Sequence, residues 1–247
     1  MNRLTLNCDL GESYGAWDLG HDADIMPLIN EANIACGFHA GDPATILKTL
    51  KLAVENQVAI GAHPSYPDLM GFGRRSMKMS ETDLYAAMLY QISALSGMAS
   101  SVGGNIAFVK PHGALYNDMM KDVSILDTVV QAVIDSSSES TLVLQATAES
   151  PQLRERYKTR PVKLRFEAFA DRRYCSDGSL QDRRTPGAVL THAEALAQVE
   201  RLLDDKSVLC TNGDPLTLEA TTLCVHGDTP SALELARAIR EKLNAYT

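Results

Sequence analysis

The segment ANIACGFHAGDP, residues 32–43, decides how the chain is read. Residues 33–36 are a short strand-like run that ends at Gly37, and Asp42 followed by Pro43 starts a helix. An aspartate side chain accepts the orphan amides of a first helical turn, and proline needs no amide bond there. Ile46, Leu50, Ala53 and Val54 then supply an apolar helical face. One unit of strand, polar loop and helix is thus written in about two dozen residues, with His39 carried on the loop.

The same order recurs outward from this segment. Residues 4–8, 58–62, 106–110, 141–145, 162–169 and 221–226 read as strands, giving seven with 33–36. Ser80 with Asp83, and Thr191 with Glu194, fit capping boxes before helices over 84–96 and 193–203, and Thr229 with Pro230 repeats the cap-and-proline device before the last helix. Short strands alternating with helices require a largely parallel sheet covered by helices. A closed or nearly closed barrel is the preferred arrangement, with an open doubly wound sheet as the alternative. Residues 208–211 and 216–219, separated by Asn212, Gly213, Asp214 and Pro215, look like a hairpin. No internal repeat or long linker divides the chain, so residues 1–247 are expected to form one domain.

Composition narrows the function. A chain of 247 residues buries roughly 70% of its unfolded surface, enough for one substantial core. The formal charge of -8, from 23 basic and 31 acidic residues, argues against broad binding of nucleic acid or an anionic membrane. Residues 1–12, MNRLTLNCDLGE, reach polar chemistry before a signal-length apolar segment, and no run approaches the ~18 apolar residues of a spanning helix. Five cysteines without a CxxC pair fit a reduced, cytoplasmic protein.

Chemistry collects at the strand ends. Asn7, Asp9 and Glu12 follow the first strand, where paired carboxylates can bind a cation, orient water or move a proton; a solvated acidic turn is the plain alternative. Gly37 and Gly41 would let backbone amides approach a carboxylate or phosphate, His39 projects between them, and Asp42 has a capping role available. His63 stands at another strand end, near Asp68. Lys110 and His112 in FVKPHGALY can neutralise phosphate or oxyanion charge and exchange a proton. Glu167, Asp171, Arg172 and Arg173, with Arg183 and Arg184 beyond, offer a carboxylate or phosphate clamp, or ordinary surface ion pairs. His226 and Asp228 either close the polar site or organise a cap. Cys8, Cys36 and Cys224 read as packing residues, and Met77, Met79, Met119 and Met120 as residues that fill or border packed regions. No GxxxxGK[ST] phosphate loop is present.

Taken together, NCDLGESYGAWDLG, ANIACGFHAGDP, GAHPSYPDLMGFGRR, FVKPHGALY, FEAFADRRY and CVHGDTP resemble the LamB/YcsF family over nearly the whole chain. The resemblance implies an α/β fold, an irregular seven-stranded beta/alpha barrel of the glycoside hydrolase and deacetylase kind. It implies ATP-dependent cleavage of 5-oxo-L-proline to L-glutamate, with ATP as co-substrate of a complex containing separate B and C subunits. Asp9, Glu12, His39, His63, Lys110 and His112 would then surround the reaction centre. Asn7, Gly37, Asp42, Asp171, Arg172, Arg183 and His226 are the candidate substrate-binding residues; alternatively Asp9, His39 and His63 form a divalent-metal site, because carboxylate oxygens and imidazole nitrogens suit such ions. Without a local phosphate loop, activation by ATP is expected of another component of the complex. Two other readings are a stand-alone metal-dependent amide hydrolase or deacetylase, and a noncatalytic scaffold component.

Overall fold

The computed structural model describes residues 4–19, 21–136, 140–183, 185–225 and 232–246. Among the described residues nine strands follow one another: β1 (Thr5–Leu10), β2 (Glu31–Ala35), β3 (Ala59–His63), β4 (Ile106–Val109), β5 (Thr141–Gln145), β6 (Lys163–Phe169), β7 (Ser207–Leu209), β8 (Pro215–Thr217) and β9 (Thr222–Val225). Seven of them, all parallel, close on themselves in the order β1-β2-β3-β4-β5-β6-β9. Pairing of β9 with both β6 and β1 closes the ring, so the open-sheet alternative is excluded. The hairpin expected near residue 212 is present as β7 antiparallel to β8.

Helices fill the connections: α1 (Asp22–Ile25), α2 (Pro43–Glu55), α3 (Glu81–Ser101), α4 (Gly113–Met119), α5 (Val123–Ser136), α6 (Ser150–Tyr157), α7 (His192–Asp204) and α8 (Ala232–Ala245). Their starts follow the sequence chemistry. Asp42 accepts the amides of Ala44 and Thr45, Ser80 accepts that of Asp83, and Thr191 with Glu194 completes a reciprocal capping box. Helix α3 runs to Ser101, beyond the expected end at 96, because Ile92, Leu95 and Ala99 keep its buried face continuous. The cap expected at Thr229 and Pro230 lies outside the described residues.

The alternation along β1 separates two environments. Leu6, Cys8 and Leu10 are fully buried in the apolar layer between strands and helices, while Asn7 and Asp9 point the other way, into the barrel. The strand runs past Cys8 to Leu10, so Asp9 belongs to the ladder rather than to the following loop; it lies in register with Asn33 of β2. Where most barrels of this class fill their interior with branched aliphatics, this one carries a polar column. At its lower end Glu31 accepts from Thr5 at 3.1 Å, from Thr222 at 3.0 Å and from Arg165 at 2.6 Å. Asn7 then links Thr222, at 2.9 Å, to the layer above.

The wall is irregular on one side. The β3–β4 register shifts between Ile60 and Gly61, and β4 meets β5 through the single pair Val109–Leu142. Gly61 faces Phe108 across the strands, and a Cβ at Gly61 would overlap the aromatic ring. The missing side chain makes room for the ring. Gly61→Val is therefore expected to lower stability by about 1–3 kcal/mol through overpacking, read as a lower urea midpoint with an unchanged denaturant slope.

Candidate functional site

The polar column opens at the carboxyl-terminal ends of the strands, where Lys110 lies almost wholly buried just after β4. Its Nζ is 3.1 Å from Asp9 Oδ1, 3.0 Å from Glu167 Oε2, 3.2 Å from Asn7 Oδ1 and 3.1 Å from Cys224 Sγ. An ammonium has three N–H groups, and these already face four acceptors. Burial alone would depress the lysine pKa, but Asp9, Cys224 and Glu167 hold it well above the ordinary value. Asn33 donates to Asp9 Oδ1 and to Asn7 Oδ1, both at 2.8 Å, so this edge of the Asp9 carboxylate is fixed by two donors, Asn33 and Lys110. The opposite oxygen, Oδ2, lies 3.4 Å from His63 Nε2.

Beyond Asp9 three histidine rings converge. His39 comes from the β2–α2 loop, His63 ends β3, and His112 precedes α4. His39 and His112 stack at 3.8 Å with planes only 6° apart, and His63 meets both edge-on. The outer nitrogen of each ring has a partner that sets its tautomer. His63 Nδ1 is 2.6 Å from the Lys110 carbonyl and His112 Nε2 is 2.9 Å from the Phe72 carbonyl. A carbonyl can only accept, so both nitrogens carry hydrogen. His39 Nδ1 is 3.1 Å from Ser65 Oγ, whose own hydrogen goes to the Tyr66 carbonyl at 2.8 Å. Burial, reinforced by the neighbouring imidazoles, pushes the pKa values of His39 and His112 well down, which favours neutral rings.

The inward nitrogens consequently present lone pairs. His63 Nε2 and His112 Nδ1 are 3.0 Å apart. Glu12 Oε1 completes the group, 3.4 Å from His39 Nε2 and 3.6 Å from His112 Nδ1. Glu12 Oε1 and His39 Nε2 are buried with no hydrogen-bond partner. Burial raises the Glu12 pKa, opposed by the charge of His112. One donor atom from each of Glu12, His39, His63 and His112 lies within 4.8 Å of the others.

The loop after β3 supports these rings from behind. Phe72 adopts a left-handed backbone (φ 54°), which aims its carbonyl at His112 while its ring stands edge-on to His39 and His112. At Gly73 (φ +64°) a Cβ would come within 2.8 Å of both His39 and His112. Asp68 stabilises this loop through an ion pair with Arg75 and the Gly71 amide.

The expected residues therefore separate into groups. Asp9, Glu12, His39, His63, Lys110 and His112 meet in one cleft, with Asn7 beneath Lys110. The metal-type cluster contains Glu12 and His112 alongside His39 and His63, and Asp9 stands beside it rather than in it. Three glycine and aspartate positions expected to approach an anion are engaged elsewhere. Gly37 N–H donates to the Ala40 carbonyl and Gly41 N–H to the Ser13 carbonyl, so neither amide is aimed at an anion. A Cβ on Gly41 would press within 2.7 Å of the Gly11 carbonyl, which explains the glycine by chain approach. Asp42 serves the α2 cap and the Gly15 amide, and these donors hold its pKa down at about 2.

Arg172 is buried and donates to the Gln181 carbonyl at 2.7 Å, while its Nε has no hydrogen-bond partner. Burial lowers its pKa and Asp171 opposes this; the nearby charge of Arg183 lowers it further. His226, Asp228 and Arg184 lie outside the described residues. Sequence reading missed Asn33, Ser65, Phe72 and Gly73. The inward alternation of Asn7 and Asp9, matched with Asn33 in the neighbouring strand, is the one sequence signal that points to Asn33. Cys224, read as packing, is part of the buried core and also touches the Lys110 ammonium.

Lys110→Met should leave Asp9 and Glu167 buried without their cation, a loss of about 3–5 kcal/mol measured by urea denaturation. Adding Glu167→Gln to that variant should recover part of the loss, because one uncompensated charge is removed. Additive effects of the two substitutions would contradict this electrostatic coupling.

Known proteins share both the sequence and the barrel. The profile of the LamB/YcsF family matches residues 4–247. A Pseudomonas putida protein, named as the second A-type subunit of a 5-oxoprolinase, is 50% identical over 245 residues, covering 99% of this chain and 95% of that protein. The crystal structure of a lactam utilization protein from Thermus thermophilus superposes with a TM-score of 0.89 at 40% identity, covering 98% of this chain and 96% of that one. A glycoside hydrolase family 30 xylanase from Clostridium acetobutylicum matches with a TM-score of 0.54 at 10% identity, covering 99% of this chain and 71% of that one. That last likeness concerns the fold alone. By matching profile, extensive identity and shared barrel, this chain belongs to the LamB/YcsF family.

Proposed function

We propose that this chain is the A-type component of an ATP-dependent 5-oxoprolinase, a single barrel domain that opens an activated lactam to L-glutamate alongside separate B and C components. The observation that carries the reading is the meeting of Asp9 with Glu12, His39, His63 and His112 in one cleft of a chain 50% identical to a protein named for this activity. Relatives named as A-type subunits motivate the division of labour.

A lactam resists water because its nitrogen donates electrons into the carbonyl. Phosphorylation of the carbonyl oxygen, by components other than this chain, would convert it to an imidate-like ester with an electrophilic carbon. Water adds to that carbon as Asp9 or an adjacent histidine takes its proton. The base returns this proton to the ring nitrogen, and the proton of the added hydroxyl follows it as the carbonyl re-forms and the C–N bond breaks, giving γ-glutamyl phosphate with a free amine. Hydrolysis of this acyl phosphate then releases phosphate and glutamate. Asp9 is well suited to the proton transfer because Lys110 and Asn33 fix one oxygen and leave the other facing His63. In this scheme Lys110 is a positioning residue for Asp9, because its N–H groups are already engaged.

Reconstitution with the B and C components should yield glutamate and phosphate from 5-oxo-L-proline and ATP, and omission of any one component should stop it. Asp9→Asn should reduce kcat of the complete mixture by about 100-fold or more, the usual scale of a lost general base, with unchanged circular dichroism and assembly. Full turnover by the isolated chain without ATP, on the lactam or on an N-acetyl sugar, would overturn the proposal in favour of a stand-alone amide hydrolase. Full activity of the Asp9→Asn mixture would reduce the chain to a scaffold.

A further inference from the structure

We propose that Glu12, His39, His63 and His112 bind one divalent first-row transition-metal ion, with Asp9 held next to the ion's site but outside its ligand set. The inference deepens the hydrolytic reading of this cleft and rests on that reading only for what the ion would be used for. Its geometric basis is independent of any substrate.

The lone pairs of His63, His112 and Glu12 converge, and the His39 ring, stacked parallel to His112, adds its own by turning about its Cβ–Cγ bond. Hydrogen bonds to the carbonyls of Lys110 and Phe72 put hydrogen on the outer nitrogens of His63 and His112. Their inner nitrogens, 3.0 Å apart, would therefore confront each other with lone pairs. Such a contact is repulsive until a positive centre lies between them. His39 Nε2 and Glu12 Oε1 are likewise acceptors buried without a donor. An unsatisfied buried acceptor is costly; one cation serves His63, His112 and Glu12 as they stand, and His39 once its ring turns out of the stack.

The spacing of the four atoms suits such an ion. Zinc-type bonds of about 2.0–2.2 Å to nitrogen and oxygen place neighbouring ligand atoms about 3.3–3.6 Å apart in a tetrahedron. Three of the separations, 3.0, 3.4 and 3.6 Å, fall in or near that range, and no pair exceeds 4.8 Å. The surroundings of the rings agree. Each ring's remote nitrogen is anchored, by Ser65, the Lys110 carbonyl or the Phe72 carbonyl, as is usual for metal-ligating histidines. Three imidazoles and one carboxylate suit zinc, manganese, iron, cobalt or nickel, whereas magnesium prefers oxygen ligands and water. Asp9 differs from Glu12: its Oδ1 accepts from Lys110 and Asn33, and its Oδ2, 3.4 Å from His63 Nε2, is not among the atoms that all lie within 4.8 Å of one another.

The test uses tag-free full-length protein, stripped with chelator and titrated with Co²⁺ in the absence of lactam and ATP. Calorimetry should show one ion per chain, and the visible spectrum should acquire the d–d bands of a protein-bound four- or five-coordinate cobalt. Excess Mg²⁺ should not displace the ion, and Zn²⁺ should. Ser65→Ala should weaken binding about 10–100-fold, the scale of a lost contact behind a ligand, and Glu12→Gln or His39→Ala by more. Asp9→Asn should keep the one-to-one stoichiometry. Absence of saturable uptake, or uptake indifferent to Glu12→Gln and His39→Ala in variants with native circular dichroism, would overturn the site and favour a proton shared between His63 and His112. Loss of uptake in Asp9→Asn would overturn the assignment of ligands. None of these readouts depends on lactam turnover, so failure of the ion site and failure of the 5-oxoprolinase reading are distinguishable.

Discussion

A buried ammonium organises this barrel. Lys110 extends from the end of β4 to the interior faces of β1, β6 and β9, where Asn7, Asp9, Glu167 and Cys224 surround it. Buried ions of opposite sign tolerate the interior only when each has its partners. The lysine and the carboxylates therefore stand or fall together, and they fix how strands distant in sequence meet. The same constraint sets the orientation of Asp9. Its one oxygen faces lysine and asparagine, and the other faces the histidines. What stabilises the barrel and what prepares the cleft are in this respect one arrangement.

The polar interior also explains why the apolar residues lie where they do. Strand alternation sends Leu6, Cys8 and Leu10 outward to the helices, which cover them in a continuous apolar layer. The core of the protein is thus the shell between strands and helices. The barrel lumen is largely polar, from Glu31 and Arg165 at one end to Glu12 and the histidines at the other, with Phe108 beside Arg165 and Phe169 beside Lys110. Such a lumen needs hydrogen-bond partners, and Thr5, Thr222, Asn7 and Asn33 provide most of them, while Asn33 Oδ1 and Glu167 Oε1 are left without one among the described residues.

Much of this is legible in the chain itself. Asp42–Pro43 and Thr191 with Glu194 mark helix starts by local hydrogen-bond chemistry, and the helices begin there. The alternation of short strands and helices points to a parallel sheet, and the family motifs point to its closure. Residues whose own side chains reach the cleft from near a strand end, such as His39 and His63, are also visible. Asn33, Ser65 and Phe72 are not, because their parts depend on a neighbouring strand, a loop hydroxyl or a left-handed carbonyl. Gly37 and Asp42 mislead for a related reason. Their local chemistry suits an anion site, but Ala40, Gly15 and the α2 amides take up the relevant groups. Sequence shows which groups are available; only the fold shows which are already engaged.

If the cleft of Asp9 and the histidines is where the lactam carbon becomes a carboxylate, the product must fit there. Diffraction from crystals grown with L-glutamate tests this most directly. Electron density for the product is expected with its γ-carboxylate between Asp9, Glu12 and the three histidines. Glutamate seated in another cavity, with this cleft holding solvent alone at saturating ligand, would contradict it.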